Sequence, residues 1–326
     1  FIRILEYYIY FLHIYIKKAM ARIKDLTIVV VTFKTDKKIL FKCLDAINFS
    51  AHVIIVENSN DNNFKQILES KYSNLNVVLS GKNLGYGAGN NFGLERVKTK
   101  YALILNPDVI VEKNFFEEIN IYLEKKIDFH LIGSSQSNKG VNSAGFFNDI
   151  DKKMKFKNEK KSAYDSLVLV DWIVGCTMLF NLEKFNTRKL FDENFFLYFE
   201  EFDLCRTIKL NNGIIYLSKN MIINHLGNKG SLATITEYGL EAEILRNWHW
   251  MWSTFYYFKK QHGYFYAVYK TYGKLFRSLF KMILFTILFN KSKRNVYYAR
   301  FFGIINSILG RKSWYRVKSL EPNDQE

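Results

Sequence analysis

The chain has 326 residues, 48% of them apolar, which is enough for a folded core and excludes a disordered or collagen-like class. Its net charge of +16 is concentrated at one end: residues 246–326 hold 15 Lys or Arg against 3 acids, leaving the first 245 residues close to balance. Cys43, Cys176 and Cys205 are too few and too scattered for a disulfide scaffold or a close-spaced zinc motif, and they read as buried thiols of a reducing, cytoplasmic compartment.

Residues 1–24 form an N-terminal extension. Phe1 to Ile16 is apolar but short and carries Arg3, Glu6 and His13, whereas a spanning helix needs about 20 apolar residues. Met20 is a plausible start of translation. From Leu26 the pattern changes. The run LTIVVVTF (26–33) has the continuous β-branched character of a strand buried on both faces. Lys37 to Asn48 follows with helical spacing, then a strand at His52 to Val56, a helix at Phe64 to Tyr72 and a strand at Asn76 to Leu79. A helix over Gly89 to Lys98 and a strand over Tyr101 to Leu105 complete the alternation, which predicts an α/β domain with a mostly parallel sheet. Ligands of such sheets bind at the carboxyl ends of the strands. Here those ends are Thr32-Phe33, Glu57-Asn58-Ser59, the Asn83 loop and Asn106-Pro107-Asp108.

Phe129 to Ser166 is polar and rich in Gly and Lys, and reads as an excursion over the site. Strands are expected again at Leu167 to Trp172 and Gly175 to Phe180, a helix from Glu200 to Leu210, and two short strands, Ile214 to Leu217 and Met221 to Asn224, leading to His225.

Four motifs carry chemistry. The loop Asn83-Leu-Gly85-Tyr-Gly87-Ala-Gly89-Asn90-Asn91 opens a helix, where free N–H groups favour a phosphate; taken alone it is also an ordinary helix start. Asp108, ending an apolar strand, has the placement to hold a hard divalent cation, although Asn, Pro and Asp are also turn formers. Glu200, Glu201 and Asp203 follow five consecutive apolar or aromatic residues, a setting that raises carboxylate basicity as a general base requires. His225 ends a strand before a loop of Gly, Lys and Ser and fits a metal or phosphate role.

In that order, the stretches VVVTFKTD, IIVENSN, NLGYGAGNNFGL, LILNPDVIV, VDWIVGCTMLF, FDENFFLYFEEFDLCRTIK and INHLGNKGS resemble the family-two inverting glycosyltransferases with a GT-A, Rossmann-like fold, and within them the bacterial rhamnosyltransferase-like group. The resemblance implies a GT-A domain over residues 25–245 and a helical basic and aromatic extension over residues 246–326. It implies transfer of a sugar, rhamnose-like, with inversion in cell-surface polysaccharide synthesis. The donor would be dTDP-rhamnose or a UDP-sugar and the acceptor a glycan or lipid-linked hydroxyl. Thr32, Glu57 and Asn58 would meet the base and ribose, and Asn83, Gly85, Asn91 and Asn106 would line the nucleotide side. Mg²⁺ or Mn²⁺ would sit on Asp108 and His225, Lys229 and Arg246 would assist the diphosphate, and Glu201 would be the base with Glu200 and Asp203 as alternatives. Two positions depart from the family pattern, with Glu201 and Glu57 standing where Asp is usual. The rival function is a non-catalytic nucleotide-binding protein of the same fold.

The extension interleaves Trp, Tyr and Phe with Lys and Arg. Nucleic acid, an anionic membrane surface and packed helices with a solvated basic face all fit that composition. The helical repeat of Phe276, Leu279, Phe280, Ile283 and Leu284 with cations between favours the membrane, placing the protein peripherally on the inner face of the cell membrane without nucleic acid as partner.

Overall fold

The computed structural model describes residues 23–47, 51–137, 143–147, 164–227 and 239–317. The strands are β1 (Leu26–Thr32), β2 (His52–Glu57), β3 (Leu75–Leu79), β4 (Tyr101–Leu105), β5 (Val109–Val111), β6 (Leu131–Gln136), β7 (Ala144–Gly145), β8 (Leu167–Leu169), β9 (Trp172–Ile173), β10 (Thr177–Asn181) and β11 (Ile215–His225). The helices are α1 (Lys37–Ile47), α2 (Asn62–Lys71), α3 (Tyr86–Leu94), α4 (Phe115–Glu124), α5 (Glu200–Leu210), α6 (Gly239–His262), α7 (Tyr264–Ile287) and α8 (Lys291–Ile308).

Among the described residues one nine-stranded sheet runs β3-β2-β1-β4-β10-β6-β11-β5, with β8 added on β11. Its first half is the expected parallel unit: β1 pairs in parallel with β2 and β4, and β2 with β3. Burial explains the composition, since Ile28, Val29 and Val30 of β1 are all enclosed, with Ile28 and Val30 packed on one face and Val29 on the other. The second half is mixed. β10 runs antiparallel to both β4 and β6, and β6 pairs in parallel with β11.

Three expectations change. The stretch read as an excursion contains β6, an interior strand of the sheet, whose serines and glutamine hide its periodicity; Ser134 is buried there. The two short strands before His225 are one, bent by a register shift between Ser218 and Ile222. At that bend the Ser218 hydroxyl oxygen accepts from the amides of Asn220 and Met221. The third helix starts at Tyr86 rather than Gly89, because Gly85 turns the chain at φ 80°.

The extension is helical, as expected, but its edge at residue 245/246 falls inside α6. Helix α8 lies beside α6, with the Arg300 guanidinium donating to Asn247 at 2.8 Å and Gly303 against the Trp248 backbone. Residues 311–315 lie across α6: the Trp252 indole donates to the Arg311 carbonyl at 3.0 Å, and Trp248 stacks on Tyr315. Buried His249 bridges the same segment, 2.9 Å from both the Ser313 hydroxyl and the Tyr315 carbonyl. A carbonyl only accepts, so Nε2 carries the proton and Nδ1 accepts from Ser313. Residues 1–22, 138–142, 148–163 and 228–238 lie outside the described residues, and with them nearly all of the N-terminal extension, just over half of the expected excursion and Lys229.

Candidate active site

A cleft of about 460 Å³ opens where the carboxyl ends of β1, β2 and β4 meet α5 and the start of α6. Three walls matter for chemistry.

The first wall is the glycine loop. The Asn83 side-chain oxygen accepts from the Gly85 amide at 3.1 Å, and the Asn58 amide donates to the Gly85 carbonyl at 3.2 Å. The Tyr86 amide donates to the Phe196 carbonyl at 3.0 Å, which draws the loop so close that any Cβ on Gly85 would collide with that carbonyl oxygen. Two requirements therefore fall on one residue, a left-handed φ and a close backbone approach.

The second wall is Asn106-Pro107-Asp108. The Asn106 amide donates to the Cys176 carbonyl, and the Val109 amide closes the turn onto the Asn106 carbonyl. β5 then pairs antiparallel with the end of β11, setting Val109 opposite His225. That register brings His225 Nε2 to 3.3 Å from Asp108 Oδ1, with Asp108 only 3% exposed. Among the described residues no group of three His, Cys, Asp or Glu gathers to hold a metal. An oxygen and an imidazole nitrogen at this spacing nevertheless fit two ligands of one divalent ion, and such ions commonly draw their other ligands from substrate phosphates and water.

The third wall is the start of α5. Tyr198 and Phe199 both adopt left-handed backbone, at φ 72° and 70°, which costs on the order of 1–3 kcal/mol for a non-glycine residue. Their rings pack on Trp250 of α6, with centroids at 5.1 and 5.3 Å. This turn delivers Glu200 and Glu201 to the cleft. Burial pushes the Glu201 carboxyl up to about 7. Glu200, 3% exposed, is held well above the usual carboxylate range by burial and then by the Glu201 charge, and its Oε2 finds no hydrogen-bond partner among the described residues. The Tyr86 hydroxyl donates to the Gly175 carbonyl beside them and is held protonated by burial and the two glutamates.

Of the residues singled out from sequence, Asn58, Asn83, Gly85, Asn106, Asp108, Glu200, Glu201, His225 and Arg246 all line this cleft. Four do not, because their side chains have other partners. Thr32 donates to the Val56 carbonyl. Glu57 folds back on the Ser59 amide at 2.8 Å, and its burial pushes it up to about 7. Asn91 latches α3 to residues 190–193, accepting from the Leu190 and Phe191 amides and donating to the Phe191 carbonyl and the Glu193 carboxylate. Asp203 accepts from Lys260 at 2.7 Å and from Gln261 at 2.5 Å, tying α5 to α6. The sequence reading missed Tyr86, Gln136 and Phe196 as cleft residues. Tyr86 lay inside the glycine motif, and Gln136 ended an unrecognised strand. Phe196 carried no local signal, being placed by the His249 ring at 4.5 Å and the Arg316 guanidinium at 3.4 Å from its centroid.

A parallel half-sheet, a glycine loop, an acid and histidine at its rim, and buried Glu200 beside half-buried Glu201 opposite them sit in a GT-A-like α/β fold. Residues 27–181 match the family described as Glycosyl transferase family 2. It is 23% identical over 225 residues to the low-salt glycan biosynthesis hexosyltransferase Agl10 of Haloferax volcanii, covering 65% of this chain and 70% of that one. It is 29% identical over 192 residues to the rhamnosyltransferase WbbL of Escherichia coli K12, covering 53% and 72%. Among solved structures, the mannosyltransferase PcManGT of Pyrobaculum calidifontis, in complex with GDP-Man and Mn²⁺, shares the fold at a TM-score of 0.50 and 11% identity, covering 88% of each chain.

Proposed function

We propose that this protein transfers a hexose-type sugar from a nucleotide-diphosphate donor to an acceptor hydroxyl in one inverting displacement. What carries the reading is the pairing, within one cleft, of an acid–histidine pair suited to a diphosphate-bound cation with a carboxyl whose raised affinity for protons suits a general base. The donor lies along Asn58, Asn83, Gly85 and Asn106, with Arg246 adding positive charge. Glu201 takes the proton of the acceptor hydroxyl as its oxygen bonds to the anomeric carbon, while the bond from that carbon to the diphosphate breaks and its electron pair leaves with the diphosphate. A divalent cation on Asp108 and His225 would neutralise the departing charge. The names of both curated relatives, one a hexosyltransferase and one a rhamnosyltransferase, support a hexosyl donor, and make dTDP-rhamnose and UDP-sugars the first donors to screen.

Glu201→Gln is expected to lower transfer by at least about a thousandfold while donor affinity, read by calorimetry, stays within a few fold. Full residual transfer would overturn the assignment of the base. Asp108→Asn, by contrast, is expected to weaken donor binding in the presence of Mn²⁺ and to abolish the difference between Mn²⁺ and chelator. A donor affinity still raised by Mn²⁺ in that variant would remove Asp108 from the metal site.

A further inference from the structure

Helix α7 has three distinct faces. Ala267, Thr271 and Ser278 are buried against the rest of the protein. On the opposite side, Phe265, Tyr269, Tyr272, Phe276, Phe280 and Ile283 follow one another at steps of four and three residues and are all exposed, Phe265 by 88% and Phe276 by 64%. The stripe continues through Ile287 to Leu288 and Phe289, the last 95% exposed at the turn into α8. It extends about 33 Å. Lys274 and Arg277 are exposed on one flank and Lys291 and Lys293 at the turn, while Lys270 and Lys281 turn inward onto Phe258, Tyr266 and Tyr297. From Tyr264 to Ile308 the sequence has eight Lys or Arg and no Asp or Glu.

We infer that this face of α7, with the α7–α8 turn, docks the protein on an anionic lipid surface. An aromatic and aliphatic stripe of this length matches the acyl–headgroup boundary, and flanking cations match acidic headgroups. Among the described residues no helix is long and apolar enough to cross a membrane, so α7 lies on the surface rather than through it. A second copy of the chain is a poorer occupant, because self-association would bring the exposed Lys274, Arg277, Lys291 and Lys293 against their own copies with no acid between Tyr264 and Ile308 to offset them. Nucleic acid is a poorer one as well. Ile283, Ile287 and Leu288 offer bases nothing to stack on, and the stripe from Phe265 to Phe289 has no cation within it to follow a phosphate backbone.

The placement has a consequence for the cleft. Arg300 meets Asn247 and Gly303 meets Trp248, so α8 runs alongside α6 in the same direction and α7 returns between their ends. The α7–α8 turn therefore falls at the end of the bundle where α6 begins, the end whose Ala242, Leu245 and Arg246 line the cleft. Docked this way, the protein holds its cleft near the headgroups, where an acceptor borne on a lipid would present its hydroxyl.

Docking by α7 does not depend on the chemistry of the cleft, and vesicle binding alone reads it. The full chain is sedimented with phosphatidylcholine vesicles and with mixed phosphatidylcholine–phosphatidylglycerol vesicles at low and moderate salt. Binding is expected to the mixed vesicles, weaker at moderate salt. Phe276→Ser with Phe280→Ser, and separately Lys291→Glu with Lys293→Glu, should each weaken partitioning at least about tenfold, with circular dichroism and donor affinity unchanged. The proposal is overturned if the wild type fails to bind mixed vesicles at low salt, or if the Phe276/Phe280 variant binds like wild type. It is overturned equally if those two substitutions convert a dimer to a monomer, or abolish binding to single-stranded DNA, while vesicle binding is unaffected.

Discussion

Glu200 and Glu201 are neighbours in sequence and in space, and burial opposes the charge that one of them must carry to act as a base. The folded protein holds the Glu201 proton up to about 7, against an ordinary value of 4.5. Between those values the folded state binds a proton that the unfolded chain has released, so stability falls as pH rises through the window. Its favourable contribution is complete below 4.5 and lost above about 7. Glutamine at this position carries no such penalty. Glu201→Gln is therefore expected to melt at a higher temperature than wild type at pH 8, with the difference closing as pH falls toward 4.5. The transfer rate of the wild type should rise through the same window as the base becomes charged. Equal melting of the two proteins at alkaline pH would show that the carboxyl is not held protonated by its surroundings.

One element positions those acids. The left-handed pair Tyr198–Phe199 is unusual because both residues are aromatic, and the packing that enforces it comes from Trp250, an α6 residue distant in sequence. Removing that ring lets the turn relax. Trp250→Ala should lower kcat well beyond any change in donor affinity, because Asn58, Asn83 and Gly85, the residues proposed to hold the donor, line the cleft from the parallel half-sheet. Trp250→Phe should recover much of the loss. Parallel falls in kcat and donor affinity would argue against the brace. This division also explains what the sequence could reveal. The parallel half was readable because its strands are unbroken apolar runs and its helices short and periodic, and the ligand-facing ends followed from topology. β6 was not readable, since Ser134 and Ser135 interrupt its pattern and only burial in the sheet makes it a strand. The acid run named the site without resolving it. In a helix of 3.6 residues per turn Glu200, Glu201 and Asp203 point in different directions, and only packing against Lys260 and Gln261 shows that Asp203 faces α6 instead of the cleft.

At the scale of the whole molecule, the helical bundle and the sheet domain share one core. Phe195, three residues before the Tyr198–Phe199 turn, packs with Phe255, Tyr257, Phe258 and Ala267 of the bundle. The Ser253 hydroxyl donates to the Leu197 carbonyl at 2.9 Å, and Lys260 bridges Asp192 and Asp203 at 2.7 Å each. Separating the bundle would expose that apolar cluster and strand Asp203, buried at 3% exposure, without its cation. Unfolding should therefore be a single cooperative event, and the chain carries its own probes for each half. Four of its five tryptophans, Trp248, Trp250, Trp252 and Trp314, lie in the bundle region, while all three cysteines, Cys43, Cys176 and Cys205, are buried thiols of the sheet domain. Tryptophan fluorescence and thiol labelling followed along one denaturant series should give coincident midpoints. A fluorescence transition that precedes thiol exposure would mean that the bundle detaches while the sheet stays folded. In that case the turn bearing Glu200 and Glu201 would lose its support before the cleft wall at Asn58, Asn83 and Gly85 did.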